Sequence, residues 1–364
     1  MAYSERLLYS FLGTPDGERA DFGVLQTSSG KILGTTPAGG ETCDEESNTC
    51  GVVYELTPSG GSYSESLPWT FQGYYPTGDG EVPEGDLVQD SSGALYGETI
   101  HGGVSTCYLA EYHGCGVVFK LTPSGSGYVE SVIYQFQSIT DGFQPAGGLV
   151  LDSSGALYGV TNFGGTGSCS LGCGTVFKLT PTPSGYSKTT IHEFSGSPDA
   201  SIPTGKLIMD SSGSLYGTTE AGGNSTSCGS CGTVFKLTPS GGGYNETILY
   251  RFQGGSDGAG VSRGVVADSL GDLYGATTAG GGSAYNCAVG GSSCGTVYKL
   301  TPSTSGGVTS YTESVLYAFQ GGSDGGAPYS VIVDATSLVP PVALFGTASL
   351  GGSGGYGVVF KITQ

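Results

Sequence analysis

The chain has 364 residues, with 12 Lys plus Arg against 31 Asp plus Glu and a formal net charge of −19. So few cations exclude a nucleic-acid binder, which must displace counterions from phosphates, and 69 Gly with only 12% charged residues argue against long helices. No apolar run reaches the ~18–20 residues of a membrane helix, and 37% hydrophobic residues exceed what a disordered chain carries, which leaves a turn-rich all-β protein.

In chain order, residues 5–11 match residues 130–136 and open the chain on what is elsewhere the last strand of a repeat. Four strand-like segments then recur. In the third copy they are 148–152, 156–161 and 174–179, with 130–136 supplied by the preceding stretch. Each is short, rich in Val, Leu, Tyr, Phe and Thr, and bounded by Gly, Pro, Ser or Asp, the signature of strands with turn punctuation. The third segment opens with Gly51, Gly116, Gly174, Gly232, Gly295 and Gly357, so the repeat is about 60 residues long. Asp-Ser-Ser-Gly links the first and second segments at Asp90, Asp152 and Asp210. Short links make antiparallel neighbours, so each repeat is a four-stranded meander.

Six such meanders bury both faces by stacking radially. The expected fold is all-β, a six-bladed β-propeller of four-stranded antiparallel blades, in one domain over residues 1–364. Residues 357–363 lack a following fourth strand, and 5–11 lack the three before it. The ring is therefore expected to close by pairing 5–11 with 357–363, with Lys361 near Glu5. Lys120 with Glu130, and Lys236 with Glu246, are expected to face each other across hairpins.

The unit Leu-Val-Leu-Asp-Ser-Ser-Gly-Ala-Leu-Tyr-Gly-Val-Thr over 149–161, followed by Gly-Thr-Val-Phe-Lys-Leu-Thr-Pro over 174–181, resembles the bacterial choice-of-anchor tandem-repeat (GloVer) proteins. The resemblance covers nearly the whole chain. It implies a bacterial, exported, surface-associated protein and carries over no catalytic residues. Such proteins often have a signal peptide and a C-terminal anchor; neither is evident here, so a trimmed or secreted form is expected.

Ten Cys lie in the loops between second and third strands, as Cys43/Cys50, Cys107/Cys115, Cys169/Cys173, Cys228/Cys231 and Cys287/Cys294. One pair per loop reads as five local disulfides made in an oxidising compartment. Zinc at Cys228-Gly-Ser-Cys231 is the rival, but zinc needs four ligands and separate blades hold the pairs apart.

The loops between second and third strands, and the links between repeats, vary from copy to copy and share one face. Variable, stapled loops on a rigid scaffold place binding there. Each link carries an Asp: Asp16, Asp79, Asp141, Asp199, Asp257 and Asp324. Six carboxylates around a central mouth would suit a calcium ion, while Asp-Gly also nucleates turns by itself. Phe22, Tyr74, Tyr75, Tyr108, Tyr112, Phe143, Phe163, Tyr285 and Tyr329 offer rings for sugar stacking or for packing between blades. The second repeat departs from its siblings with Glu98 and His101, and with His113 beside Glu111, a grouping fit for acid–base work or for a solvated loop. Arg19 and Arg263 are rare cations in the links, and His192 takes the place of Tyr134, Tyr250 and Tyr317 as a packing residue.

No nucleophile elbow, HExxH, P-loop or dinucleotide fingerprint is present in the sequence. The expectation is a secreted or cell-surface propeller binding an extracellular glycan or surface protein. The alternatives are a carbohydrate-active hydrolase or lyase using Glu98, His101 and Arg263 beside the Asp ring, and a self-assembling surface protein.

Overall fold

The computed structural model describes residues 8–20, 22–40, 50–60, 62–73, 78–103, 108–109, 112–223, 231–281, 294–334, 342–352 and 357–363. The chain divides into two compact units, Met1–Gly164 with Phe177–Thr190, and Gly165–Val176 with Ile191–Gln364.

In the first unit the first repeat forms a four-stranded sheet of Leu25–Gln26, Ile32–Thr36, Val52–Ser59 and Ser62–Thr70. The second repeat runs Glu81–Pro83 and Val88–Gln89, both paired with Leu95–His101, then Val117–Ser124 and Gly127–Gln135. The third follows the same plan from Phe143–Pro145 and Val150–Leu151 through Leu157–Phe163 and Thr175–Thr182 to Gly185–Glu193. The turn chemistry behind this plan is explicit. Asp152 Oδ1 accepts from the Ser154 N–H at 2.8 Å, the Ser154 hydroxyl at 2.6 Å and the Ala156 N–H at 3.0 Å. Its Oδ2 accepts from the Tyr158 hydroxyl at 3.1 Å. Asp90 and Asp210 repeat the pattern, so the string Asp-Ser-Ser-Gly-x-Leu-Tyr writes one hydrogen-bonded turn.

Aromatic rings join consecutive repeats. Phe71 meets Phe119 and Phe136 meets Phe177 in the first unit, edge to face at 5.1 and 5.3 Å. Phe194 with Phe235, Phe252 with Tyr298, and Phe319 with Phe360 do the same in the second. Tyr-Gly in the second strand makes room for this ladder: a Cβ on Gly159 would stand 2.6 Å from the Phe177 ring.

All-β holds, but the closed six-bladed ring does not. Among the described residues there are four blade-like sheets of three to five strands, one eight-stranded sheet curved as a half-barrel, and two short two-stranded pairs. In the second unit the strands of two repeats merge. Ala200–Met209, Leu215–Gly222, Thr233–Ser240 and Gly243–Arg251 join Ala259–Ala267, Leu273–Ala279, Thr296–Ser305 and Val308–Ala318 through a parallel bridge between Lys206 and Gly264. The last sheet has three strands, Gly326–Val333, Ala343–Leu350 and Val358–Thr363. Residues 8–12 are not in a strand, Glu5 lies outside the described residues, and Lys361 stands over the Phe345 ring at 4.8 Å.

The merger has a local cause. The first strand of the second and third repeats breaks into two short pieces, whereas Ala200–Met209 and Ala259–Ala267 run through. The close approach itself is common to both units: Gly205, at φ +76°, admits the backbone at Arg263, and Gly85, at φ +94°, admits that at Gly147 and Gly148, where Asp86 and Gly148 form the equivalent parallel bridge; only the continuity of the first strand differs.

The expected Lys–Glu cross-strand pairs are also replaced. Glu130 lies opposite Leu121 and Glu246 opposite Leu237, one residue out of the anticipated register. In a pleated strand that single step moves a side chain to the other face, and Lys120 and Lys236 lie instead over the Tyr96 and Tyr216 rings at 5.1 and 4.8 Å.

Candidate ligand-binding face

Each link between repeats is built on the same frame. Its Asp is clasped from behind: Asp16 by the Tyr9 hydroxyl, Asp141 by Tyr134, Asp257 by Tyr250 and Asp324 by Tyr317, at 2.5 to 3.0 Å. Asp79 takes the Trp69 indole N–H at 3.2 Å instead, and Asp199 the Ser195 hydroxyl at 2.8 Å. A backbone N–H four residues earlier, or seven in the case of Asp79, completes each clasp, such as Gln137 to Asp141 at 3.0 Å. These carboxylates are thus engaged within their own links.

Three residues beyond the Asp, the backbone turns left-handed in every repeat. Arg19, Val82, Gln144, Ile202 and Ala327 have φ between 50° and 63°, and Gly260 has φ 64°. Five non-glycine residues at one structural position in that region mark an imposed conformation, which costs on the order of 1–3 kcal/mol each. The hydrogen bond that holds it is constant. Val82, Gln144, Ile202, Gly260 and Ala327 donate their N–H to the carbonyls of Cys50, Cys115, Cys173, Cys231 and Cys294, at 2.8 to 3.1 Å. The motif glycine permits the approach: Gly116 sits at φ +91°, and a Cβ there would stand 2.6 Å from Pro145 Cδ. The cysteine loop of one repeat and the link to the next are therefore one construction. Cys169 is bonded to Cys173, and Cys50, Cys115, Cys231 and Cys294 are buried and disulfide-bonded. Cys43, Cys107, Cys228 and Cys287 lie outside the described residues.

The backbone is fixed while the side chains it presents differ. Arg19 is exposed, and Val82, Gln144, Ile202 and Ala327 are half-buried. Gln144 Nε2 stands 2.9 Å from His101 Nε2, a bond whose direction depends on the imidazole tautomer and the amide orientation. In the second unit the Arg263 guanidinium lies over the Tyr329 ring at 4.9 Å, and that ring is 39% exposed. A face-on cation with an open ring edge is an adaptable platform for polar ligands.

Other sequence candidates are placed differently. Phe143 is 1% exposed and belongs to the core, with the half-buried Phe163 ring 6.1 Å away. Glu98 is sealed at 1% exposure. Its Oε2 accepts from the Gly148 N–H at 3.1 Å, and its Oε1 has no partner. Burial pushes its carboxyl up to about 8, against the pull of the Gly148 bond and with the help of nearby Glu84, so it is mostly protonated at neutral pH. Tyr74, Tyr75, Glu111 and Tyr285, and the side chains of Tyr108, Tyr112 and His113, lie outside the described residues. His192 packs edge-on against Phe194 at 4.6 Å.

Sequence reasoning missed the groups that face the link Asp residues. Glu65 lies near Asp16, Glu130 near Asp79 and Glu313 near Asp257, each from the fourth strand of the following repeat. Burial first, and the neighbouring Asp second, push Glu130 and Glu313 up to about 7 and raise Glu65. At the equivalent place the third repeat has Lys188, whose Nζ stands 2.9 Å from Asp141 Oδ1. The signal was the recurring Tyr-x-Glu at 63–65, 128–130, 244–246 and 311–313, with Tyr-Ser-Lys at 186–188.

The Gloeobacter/Verrucomicrobia repeat profile matches residues 3–226. No curated protein matches the chain. Among solved structures, the chain resembles a candidate oxidoreductase (glucose dehydrogenase) from Thermus thermophilus, at 16% identity and TM-score 0.54, covering 97% of both chains. It also resembles a candidate 6-phosphogluconolactonase from Bacteroides uniformis, at 11% identity and TM-score 0.56, covering 97% of this chain and 88% of that one. An α-L-arabinanase of Penicillium chrysogenum complexed with arabinobiose matches at 11% identity and TM-score 0.51, over 94% of this chain and 91% of the other. At these identities the likeness is one of fold. Among the described residues, no helix is long and apolar enough to cross a membrane.

Proposed function

The chain belongs to the Gloeobacter/Verrucomicrobia repeat family, and on that premise we propose that it is an extracellular, disulfide-stapled repeat protein that binds carbohydrate through its link residues. One observation carries this reading. The left-handed link position keeps one backbone geometry at Arg19, Val82, Gln144, Ile202 and Ala327, and one hydrogen bond to a cysteine carbonyl at the last four, while the side chain changes. A strained, over-determined frame with varied side chains suits recognition better than packing, which favours sameness. The Tyr329–Arg263 platform and the His101–Gln144 pair add a ring, a cation and polar groups of the kind that sugar hydroxyls engage. The similar structures, a candidate 6-phosphogluconolactonase, a candidate glucose dehydrogenase and an arabinanase, favour a sugar over other small polar ligands. Disulfide-bonded cysteines fit an oxidising, extracellular compartment.

Binding without turnover is the form this reading takes. Glycosidase chemistry needs two carboxyl groups roughly 5–9.5 Å apart with room for water, and Glu98 is closed to solvent. A panel of oligosaccharides scored for both binding and released reducing ends tests this. Saturable binding with no released sugar supports the reading; steady turnover contradicts it in favour of a hydrolase.

A further inference from the structure

Where the third repeat meets the fourth, the clasp on the link Asp changes chemistry. His192 stands where Tyr9, Tyr134, Tyr250 and Tyr317 stand elsewhere, and it keeps their edge-on contact with the following Phe. Its Nε2 is 3.4 Å from Glu246 Oε1. Asp199 completes a group of three whose ligand atoms all lie within 4.8 Å of one another. His192 Nε2 and Glu246 Oε1 are each sealed from solvent and make no hydrogen bond. Asp199 is anchored through Oδ2, which accepts from the Ser195 N–H at 3.0 Å and its hydroxyl at 2.8 Å. At 3.4 Å the pair is an ion pair only when the imidazole is protonated; with a neutral imidazole both sealed atoms lack a partner, which is costly unless a cation bridges them.

We propose that His192, Asp199 and Glu246 form a binding site for a divalent transition-metal ion of the zinc type. Zinc binds imidazole nitrogen and carboxylate oxygen at about 2.0–2.2 Å, which sets two ligands of a tetrahedral ion ~3.4 Å apart; the Nε2–Oε1 separation already has that value. One nitrogen and two carboxylates leave a fourth position open to water. The imidazole disfavours calcium, which takes oxygen ligands. The preceding repeat supplies independent support for a cation at this place. There Lys188 occupies the position of Glu246, and its ammonium reaches Asp141 Oδ1 at 2.9 Å and Thr190 Oγ1 at 3.1 Å. The fold thus already seats a positive charge between a link Asp and the next fourth strand, and the His192 site offers a metal the same seat.

The test uses the whole chain, dialysed against a chelator and titrated with Co2+ and then Zn2+. The expected result is one equivalent of Co2+ with a visible ligand-field spectrum that Zn2+ abolishes, together with a rise in Tm on adding Zn2+. His192→Tyr restores the residue of four other repeats and so keeps the packing; it should weaken binding roughly tenfold or more, as should Glu246→Gln. Absence of both the Co2+ spectrum and binding heat overturns the proposal. So does binding of unchanged strength in His192→Tyr. An imidazolium that titrates between the two carboxylates with no metal response overturns it as well.

Discussion

Two links with the same Asp solve opposite electrostatic problems. Asp141 in the first unit faces the Lys188 ammonium, whose side chain is only 5% exposed. Asp257 in the second unit faces Glu313, and Asp257 Oδ1 and Glu313 Oε1 are both buried without a hydrogen-bond partner. The clasp is alike in both, a Tyr hydroxyl and a Gln N–H on the carboxylate. The local sequence therefore builds the link, while the residue arriving from the next repeat decides its charge. A half-buried ion pair and a half-buried acid pair thus occupy equivalent places in two links built on the same clasp.

The largest effect that separates the two comes from one substitution made twice. Asp141→Asn removes the carboxylate from the Lys188 ammonium, which keeps the Asp141 carbonyl and the Thr190 hydroxyl, and should cost roughly 1.5–3 kcal/mol, read as a fall in Tm or in denaturant midpoint. Asp257→Asn should be neutral or stabilising, within about 0.5 kcal/mol, because the amide can keep its oxygen toward Tyr250 and turn its NH2 to Glu313. Equal losses in both would break the comparison.

The acid pairs also set a pH dependence. Glu130 and Glu313 hold their protons up to about 7 in the folded chain, against about 4.3 unfolded. A carboxyl raised on folding contributes fully below the unfolded value, and that contribution is lost as pH rises from about 4 to 7. Glu130→Gln and Glu313→Gln should therefore raise Tm by on the order of 1–3 °C at pH 8 and leave it unchanged at pH 4. A gain that grows toward acid would contradict the assignment. The turn carboxylates show the opposite sign: hydrogen bonds hold Asp90, Asp152 and Asp210 below the usual range despite partial burial.

The smallest expected effect lies in those turns. Tyr158→Phe removes one hydroxyl from Asp152, which keeps three other donors. The cost should be about 0.5–1.5 kcal/mol by denaturant unfolding, below that of Asp141→Asn.

The strands and turns were legible because their causes are local. Asp-Ser-Ser-Gly-x-Leu-Tyr carries every donor and acceptor of its turn, and Tyr-Gly in the second strand announces the ring packed above it. Contacts between repeats were not legible. Asp79 meets Glu130, and Asp257 meets Glu313, across more than fifty residues, and no local pattern links them. The Lys120–Glu130 expectation failed by one residue of register, which a hairpin with a long arm does not reveal from spacing alone. The merger at Lys206 and Gly264 escaped because an unbroken first strand and an interrupted one have similar compositions. Phe143 and Phe163 read as loop aromatics because their strand pairing, with each other, lies outside the repeat's stronger motifs.

The most direct test of the central claim, that the links are the recognition surface, is calorimetric titration of a bound oligosaccharide against three variants. Tyr329→Ala should weaken binding at the link of the second unit, and Gln144→Ala at that of the first, each roughly tenfold while lowering Tm little, because both side chains are at least partly exposed. Ser153→Ala, in a hairpin turn between first and second strands, should leave affinity unchanged. Unchanged affinity in both link variants, with loss in the turn variant, would contradict the account.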